Sequence, residues 1–186
     1  DTHPILRRLP SQMGRLGSDE VASLTRQMGQ TPRGLALAML PLAQQFALPV
    51  VSGFRVGAVA VTRETGNRYA LHLGANLEFQ GLPLHHTIHA EQAAVANACN
   101  ESTRELVALA VSAAPCGACR QFLLEASIGG DLEILLPART ENGRSRRLSE
   151  LLPDAFGPAA LRVDARLFAP TETAGTDLGA TGPPDI

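Results

Sequence analysis

The sequence has no tryptophan, one tyrosine (Tyr69) and six phenylalanines, so aromatic residues make up only 4% of it. Proteins that hold single-stranded nucleic acid combine aromatic stacking platforms with a cationic groove. The second requirement is missing too: sixteen basic residues against eighteen acidic ones leave a formal charge of −2 and a pI near 6.2. A polyanion therefore finds neither stacking faces nor an attracting field, and the same balance argues against an anionic membrane surface. The longest apolar stretches, such as "GLALAMLPLAQQFALPVV", are broken by polar residues and prolines before bilayer length, and no basic-then-apolar leader stands before them. A cytoplasmic protein is expected.

Cysteine is scarce as well. There are three, an odd number, and two of them stand as C-x-x-C in a chain without a secretory signal. That usage favours metal or redox chemistry over a disulfide framework. The third, Cys99, lies in the small-residue pattern "AEQAAVANACN" and reads as a buried small hydrophobe.

What is present is an ordinary globular composition: 186 residues, 45% hydrophobic and 18% charged, enough for one domain with a sizeable core. "GSDEVASLTRQMG" predicts a helix with Ser18 as cap and Gly29 as stop, and "TPRGLALAMLPLAQQFA" a second with Thr31 as cap, Pro32 in the first turn and a kink or break at Pro41. "FRVGAVAVT" (54–62) and "RYALHLGANLEF" (68–79), separated by "RETGN", read as an antiparallel hairpin. Then follow a helix in "HAEQAAVANACNE", a buried strand in "LVALAVSA", a helix in "GACRQFLLEAS" stopped by Gly129-Gly130, a buried strand in "DLEILLP" and a weaker strand in "LRVDARLFA" (161–169). Strand, helix, strand in one sheet implies parallel pairing, so a mixed α/β sheet with helices on its faces is expected. The last stretch, "TETAGTDLGATGPPDI", is polar, rich in Gly and Pro and without period, and reads as a flexible tail. These shifts divide the chain into a helical segment (1–48), a main domain (49–170) and a tail (171–186).

Two motifs carry chemistry. "HAEQ" places His89 and Glu91 where the loop after the hairpin enters a helix, and "PCGACRQ" places Cys116 and Cys119 where a buried strand enters the next. Both fall at the carboxyl ends of strands, where α/β sites form. A helix N-terminus favours thiolate over thiol. One imidazole and two sulfurs suit zinc and leave the fourth tetrahedral position for water, which is the arrangement of a catalytic centre. Glu91, two residues from His89, is placed to take a proton from that water without binding the metal. A redox pair is the alternative for an isolated C-x-x-C. A closed structural zinc site is another, with His85, His86 or Cys99 as fourth ligand. His72, His85 and His86 read as loop or sheet residues without catalytic duty, and Arg120 as structural.

The H-x-E and P-C-x-x-C pattern resembles the zinc-dependent cytidine deaminases. The likeness runs through "GLALAMLPLA", "FRVGAVAV", "GANLEF", "TIHAEQ", "APCGACRQF" and "LLPDAFGP", most of residues 30–160. It is nearest to the dimeric bacterial branch with one histidine and two cysteines. The resemblance implies a three-layer α/β/α sandwich, with residues 49–170 as the catalytic domain and one zinc ion per subunit on His89, Cys116 and Cys119. It also implies hydrolytic deamination of cytidine and deoxycytidine to uridine and deoxyuridine, as in pyrimidine salvage, with Glu91 as general acid and base. Asn76 and Glu78 would bond the ribose hydroxyls, the backbone of Ala90 and the carbonyl of Ala114 would read the base edge, and Phe54 would pack on the ring. Phe156 would reach a neighbouring subunit's site, so a homodimer or other homo-oligomer is expected. Dimeric relatives carry a second, inactive domain after the "LLPDAFGP" region; in this sequence the polar tail follows instead, which reads as either a fragment or a compact variant. The alanine before Pro115 replaces the family's threonine, a small change if only its backbone is used. Other readings stay open: a deaminase of another aminopyrimidine, a deaminase of nucleic acid, and a non-catalytic zinc-stabilised binding module.

Overall fold

A computed structural model describes residues 14–99, 105–126, 131–138, 144–157 and 160. In chain order these form β1 (Arg15–Leu16), α1 (Ser18–Met28), α2 (Pro32–Ala38), α3 (Leu40–Gln45), β2 (Gly57–Glu64), β3 (Arg68–Ala75), a 3-10 turn (Leu84–His86), α4 (Ala90–Cys99), β4 (Glu105–Val111), α5 (Gly117–Ala126), β5 (Glu133–Leu136), β6 (Arg144–Arg147) and α6 (Leu148–Leu151). One six-stranded sheet runs in the order β1-β3-β2-β4-β5-β6. Among the described strands only β4 and β5 pair in parallel, with α5 between them in the chain; the other pairs are antiparallel, so the sheet is mixed as expected.

Period-2 alternation along the strands divides the core into two layers. Val59, Val61, Leu71, Leu73, Ala108 and Ala110 point to α1, α2 and α3. Ala58, Ala60, Leu109, Val111 and Ile134 point to α4, α5 and α6. The result is the three-layer α/β/α sandwich, in which the N-terminal helices cover one face of the sheet. Within the second layer, the contact between α4 and β3 is built from small residues. On α4, Ala90, Ala94 and Ala98 are fully buried, and the first two meet β3 at Gly74. A Cβ at Gly74 would overlap the Ala94 nitrogen and the Ala90 carbonyl oxygen, so α4 lies directly on the strand backbone. The absence of bulk there sets how deeply the start of α4, where His89 and Glu91 stand, is seated.

Several boundaries differ from the sequence expectation. Gly17, not Ser18, occupies the cap of α1, and its N–H donates to the Glu20 carboxylate at 2.9 Å, so the acid three residues on does the capping. Thr31 caps α2 as expected, accepting from the Gly34 N–H at 3.1 Å, and the helix breaks at Met39, with Pro41 in the first turn of α3. The hairpin strands begin later and end earlier than expected, at Gly57 and Ala75. Residues 54–56 and 76–78 leave the ladder because the side chains of Asn76 and Glu78 take over as partners of the 51–56 backbone. Strands β1 and β6 were not anticipated: the first is two residues long, and the second, "RSRR", is a charged edge strand without apolar alternation. Gly129-Gly130, "LRVDARLFA" and the polar tail lie outside the described residues. No helix among the described residues is long and apolar enough to cross a membrane.

Candidate metal centre and active site

Because β2 runs antiparallel to both β3 and β4, the last residues of β3 and β4 and the first of β2 share one sheet edge. That edge gathers every motif of interest. His89 immediately precedes α4, and its carbonyl accepts the Ala93 N–H at 3.0 Å. Its own N–H donates to the Gln92 side chain at 3.0 Å, a reciprocal cap that fixes the histidine backbone at the helix start. Cys116 stands in the same position before α5, its carbonyl accepting from the Arg120 N–H at 3.0 Å, while Cys119 lies one turn in. Two helix N-termini therefore converge where the sequence predicted.

Nδ1 of His89 stands 3.5 Å from the Cys116 sulfur and 3.2 Å from the Cys119 sulfur, and the three donor atoms all lie within 4.8 Å of one another. Zinc bound to sulfur at about 2.3 Å and to nitrogen at about 2.0–2.1 Å in a tetrahedron requires N···S separations of roughly 3.5 Å, so the donor set fits that ion. Nε2 of His89 lies 3.0 Å from the Leu84 carbonyl oxygen. A carbonyl can only accept, so this nitrogen carries the proton and Nδ1 presents its lone pair to the sulfurs. Among the described residues the metal-competent group contains only these three; His85, His86 and Cys99 are not in it, which removes support for a closed four-ligand site. Burial, then the negative charges of Glu91 and Cys116, pushes the Cys119 thiol up. A divalent cation between the donors reverses that sign, since a coordinating thiol is deprotonated outright.

Glu91 lies in the first turn of α4, 4% exposed, within hydrogen-bonding reach of the Cys119 thiol and outside the donor group. A buried carboxylate at a helix N-terminus, beside a metal centre it does not ligate, is suited to hold or pass a proton. Ala90 is fully buried, and Ala114 is exposed in the loop between β4 and Pro115. Arg120 is structural as expected: it donates to the Pro115 carbonyl at 2.9 Å and the Leu151 carbonyl at 2.8 Å, tying the cysteine loop to the end of α6.

Asn76 and Glu78 are both buried at this edge. Asn76 Oδ1 accepts the Val56 N–H at 2.8 Å, and its Nδ2 donates to the Phe54 carbonyl at 3.0 Å. Oε2 of Glu78 accepts the N–H groups of Val51 and Ser52 at 2.8 and 2.7 Å, and Oε1 accepts the Ser52 hydroxyl at 2.5 Å. Hydrogen bonds from the Ser52 hydroxyl and backbone, followed by those from Val51 and Asn76, hold the Glu78 carboxyl below the usual carboxylate range against the opposing effect of burial. Phe54 is 60% exposed at the tip of this loop and Phe156 is 65% exposed beyond α6, the latter with its carbonyl held by the Gln121 side chain at 2.9 Å. Sequence reasoning missed Gln92, Ser52 and the Leu84 carbonyl. Gln92 was legible from its spacing three residues after His89; the other two depend on loop conformations that no period announces.

Fold and site together define a class: an α/β/α domain with a three-donor, zinc-type centre at a sheet edge and a buried carboxylate beside it. Residues 35–130 match the family described as "Cytidine and deoxycytidylate deaminase zinc-binding region". The chain is 42% identical over 168 residues to the cytidine deaminase of Yersinia pseudotuberculosis, which covers 90% of this chain and 54% of that protein, and equally similar to the cytidine deaminase of Yersinia pestis. It thus spans about half the length of the curated relatives it matches. Among solved structures, the cytidine deaminase of Burkholderia pseudomallei aligns with a TM-score of 0.54 at 30% identity, over 66% of this chain and 97% of that one. That of Mycobacterium tuberculosis aligns with a TM-score of 0.52 at 36% identity, over 67% and 94%. The chain belongs to the cytidine and deoxycytidylate deaminase family of zinc-dependent hydrolases.

Proposed function

We propose that this chain catalyses the hydrolytic deamination of cytidine and deoxycytidine, releasing ammonia and leaving uridine or deoxyuridine, as in pyrimidine salvage. The observation that carries this reading is the grouping of His89 Nδ1 with the two cysteine sulfurs beside the buried Glu91 carboxylate. His89, Cys116 and Cys119 would hold zinc. When bound, zinc supplies the Lewis acidity that lets water lose a proton near neutral pH.

The chain's own groups then account for the proton traffic. Glu91 takes the proton from the attacking water as the oxygen bonds to C4 of the pyrimidine. It delivers that proton to the ring nitrogen next to C4, then takes the remaining proton of the added hydroxyl and passes it to the departing amino group, so that the C4–O bond becomes a carbonyl as the C–N bond breaks and ammonia leaves. Positioned acid/base groups of this kind contribute about 10²- to 10⁴-fold. The backbone at Ala90 and the carbonyl of Ala114 would read the base edge, and Phe54 would cover the ring. Asn76 and Glu78 would receive the ribose hydroxyls. Support for that role lies in Oε1 of Glu78, whose second contact, from Asn76 Nδ2, is only 3.4 Å, a weak bond that a hydroxyl can displace. A substrate lacking the hydroxyls forgoes that bond.

The working unit in this reading is a homodimer or other homo-oligomer in the cytoplasm, acting on a small nucleoside and not on a polynucleotide. Val51, Phe54, Leu82, Leu84 and Phe156 stand exposed on the loops that frame the site, an apolar rim of the kind that a second subunit covers. Incubating zinc-loaded protein with cytidine and following the loss of ultraviolet absorbance tests the activity. Glu91→Gln should keep zinc and fold while losing nearly all turnover, and Cys116→Ala should lose zinc as well. Zinc-loaded, folded protein without turnover of cytidine or deoxycytidine would overturn the proposal.

A further inference from the structure

We infer that Ser52 is the positioning residue that sets Glu78 for ribose recognition, linking that carboxylate to the loop carrying Phe54. This rests on the reading of Glu78 given above. A serine hydroxyl has one proton to donate and two lone pairs. Here the Phe54 N–H donates to Oγ at 3.0 Å, so the oxygen is engaged as acceptor on one side. Its single proton then goes to Oε1 of Glu78 at 2.5 Å. The direction of the relay is fixed at both ends: Phe54 N–H to Ser52, Ser52 O–H to Glu78.

Glu78 is held by the same short segment from a second side. Its other oxygen receives the N–H groups of Val51 and Ser52, so one residue, Ser52, reaches both carboxylate oxygens. Gly53 makes this possible. Its φ of +68° lies in the left-handed region, and that turn returns the Phe54 N–H to the hydroxyl of Ser52. The remaining lone pair of Oε1 meets only the 3.4 Å approach of Asn76. Ser52 therefore leaves one acceptor direction of Glu78 open and fixes which one. Without the hydroxyl the carboxylate keeps its two backbone bonds but can rotate Oε1 away, and the Phe54 backbone loses its anchor to the same group.

The expected signature is confined to binding of the ribose hydroxyls. Ser52→Ala should raise KM for cytidine about tenfold, the loss of one bond to a charged group, with kcat within about twofold, because such a contact is equal in ground and transition states. The substrate 2′,3′-dideoxycytidine, which offers no hydroxyl to Glu78, should show no such rise. Ser52→Thr, which keeps the hydroxyl, should restore KM to within about threefold. In the wild-type zinc-loaded protein the Phe54 amide should exchange its hydrogen slowly for a loop position, and faster in Ser52→Ala but not in Ser52→Thr.

The two readings fail differently. If wild-type protein turns over both nucleosides with the same KM, Glu78 does not read the hydroxyls and both ideas fall. If wild-type protein discriminates but Ser52→Ala changes neither KM, or raises both equally, the role of Ser52 is wrong and that of Glu78 stands. Unprotected exchange at the Phe54 amide of the wild type would also overturn the relay, whatever the variants do.

Discussion

The Leu84 carbonyl oxygen is shared by the two residues that lead into the metal helix: His89 Nε2 lies 3.0 Å from it and the Thr87 hydroxyl donates to it at 2.6 Å. The Thr87 N–H adds a third contact at 3.1 Å. The carbonyl fixes which ring nitrogen of His89 bears hydrogen, and Thr87 fixes the carbonyl. Partners one step removed from a metal typically change its affinity by about 10- to 100-fold. Thr87→Val, which keeps shape and removes the hydroxyl, should therefore lower zinc affinity about tenfold, measured by competition with a chromogenic chelator. An unchanged affinity would mean that the 3-10 turn holds Leu84 without help.

Gly74 sets the depth of the same helix. Its missing side chain admits the backbone of α4 at Ala90 and Ala94, and neither obstacle is the flexible end of a side chain that can swing aside. Gly74→Ala should cost about 1–3 kcal/mol of stability through overpacking. The shift it forces falls at the helix start, so zinc affinity should drop in the same variant. Denaturant midpoint and zinc titration, measured together, separate this from Gly66→Ala. Gly66 has open space for a Cβ but a φ of +75°, so that change should cost stability through backbone strain and leave zinc binding unaltered.

The fold was legible wherever burial wrote itself into the pattern. "LVALAVSA" and the "ILL" of "DLEILLP" are continuous apolar runs because strands β4 and β5 are covered on both faces there, and Thr31-Pro32 and Gly29 mark helix ends by local chemistry. The metal donors were legible because His89, Cys116 and Cys119 are residue types with few other reasons to stand at two helix starts. The edge strands were not: Arg15–Leu16 and Arg144–Arg147 are held by backbone pairing and carry no periodic apolar face. The work of Asn76 and Glu78 as partners of the 51–56 backbone was hidden for a similar reason. Two polar residues two apart look like one face of a strand, and only the loop opposite turns them into caps.

His72 is the one fully buried imidazole among the described residues. It lies on β3 with Nε2 3.0 Å from the Thr62 hydroxyl and no hydrogen-bond partner at Nδ1 among those residues. Burial first, and then the positive charge of Arg15, lower its pKa from 6.5 to about 4. Since the folded value lies below the unfolded one, the fold binds this proton less readily than the open chain does. Stability from this source is complete above about pH 6.5, falls as pH drops toward 4, and is gone below it; the difference corresponds to on the order of 3 kcal/mol. His72→Gln should flatten the decline of the denaturant midpoint between pH 7 and 4, even if it lowers the midpoint at pH 7. An acid limb as steep in the variant as in the wild type would assign the decline to other groups.

Phe156 offers a test of assembly apart from folding. Its side chain is 65% exposed, while the segment beneath it is fastened by two residues of α5: Gln121 donates to the Phe156 carbonyl and Arg120 to the Leu151 carbonyl. The backbone is thus presented rigidly and the ring contributes little to the chain's own core. Removing an exposed side chain away from such fastenings usually changes stability by less than about 0.5 kcal/mol. If the ring serves a neighbouring subunit, Phe156→Ala should leave the unfolding midpoint at low concentration unchanged, yet reduce the native mass seen by light scattering and lower kcat/KM for cytidine. Gln121→Ala, which frees the carbonyl but keeps the ring, should show a weaker form of the same pair of losses. A fall in midpoint without a change of mass would instead make Phe156 an anchor of its own loop.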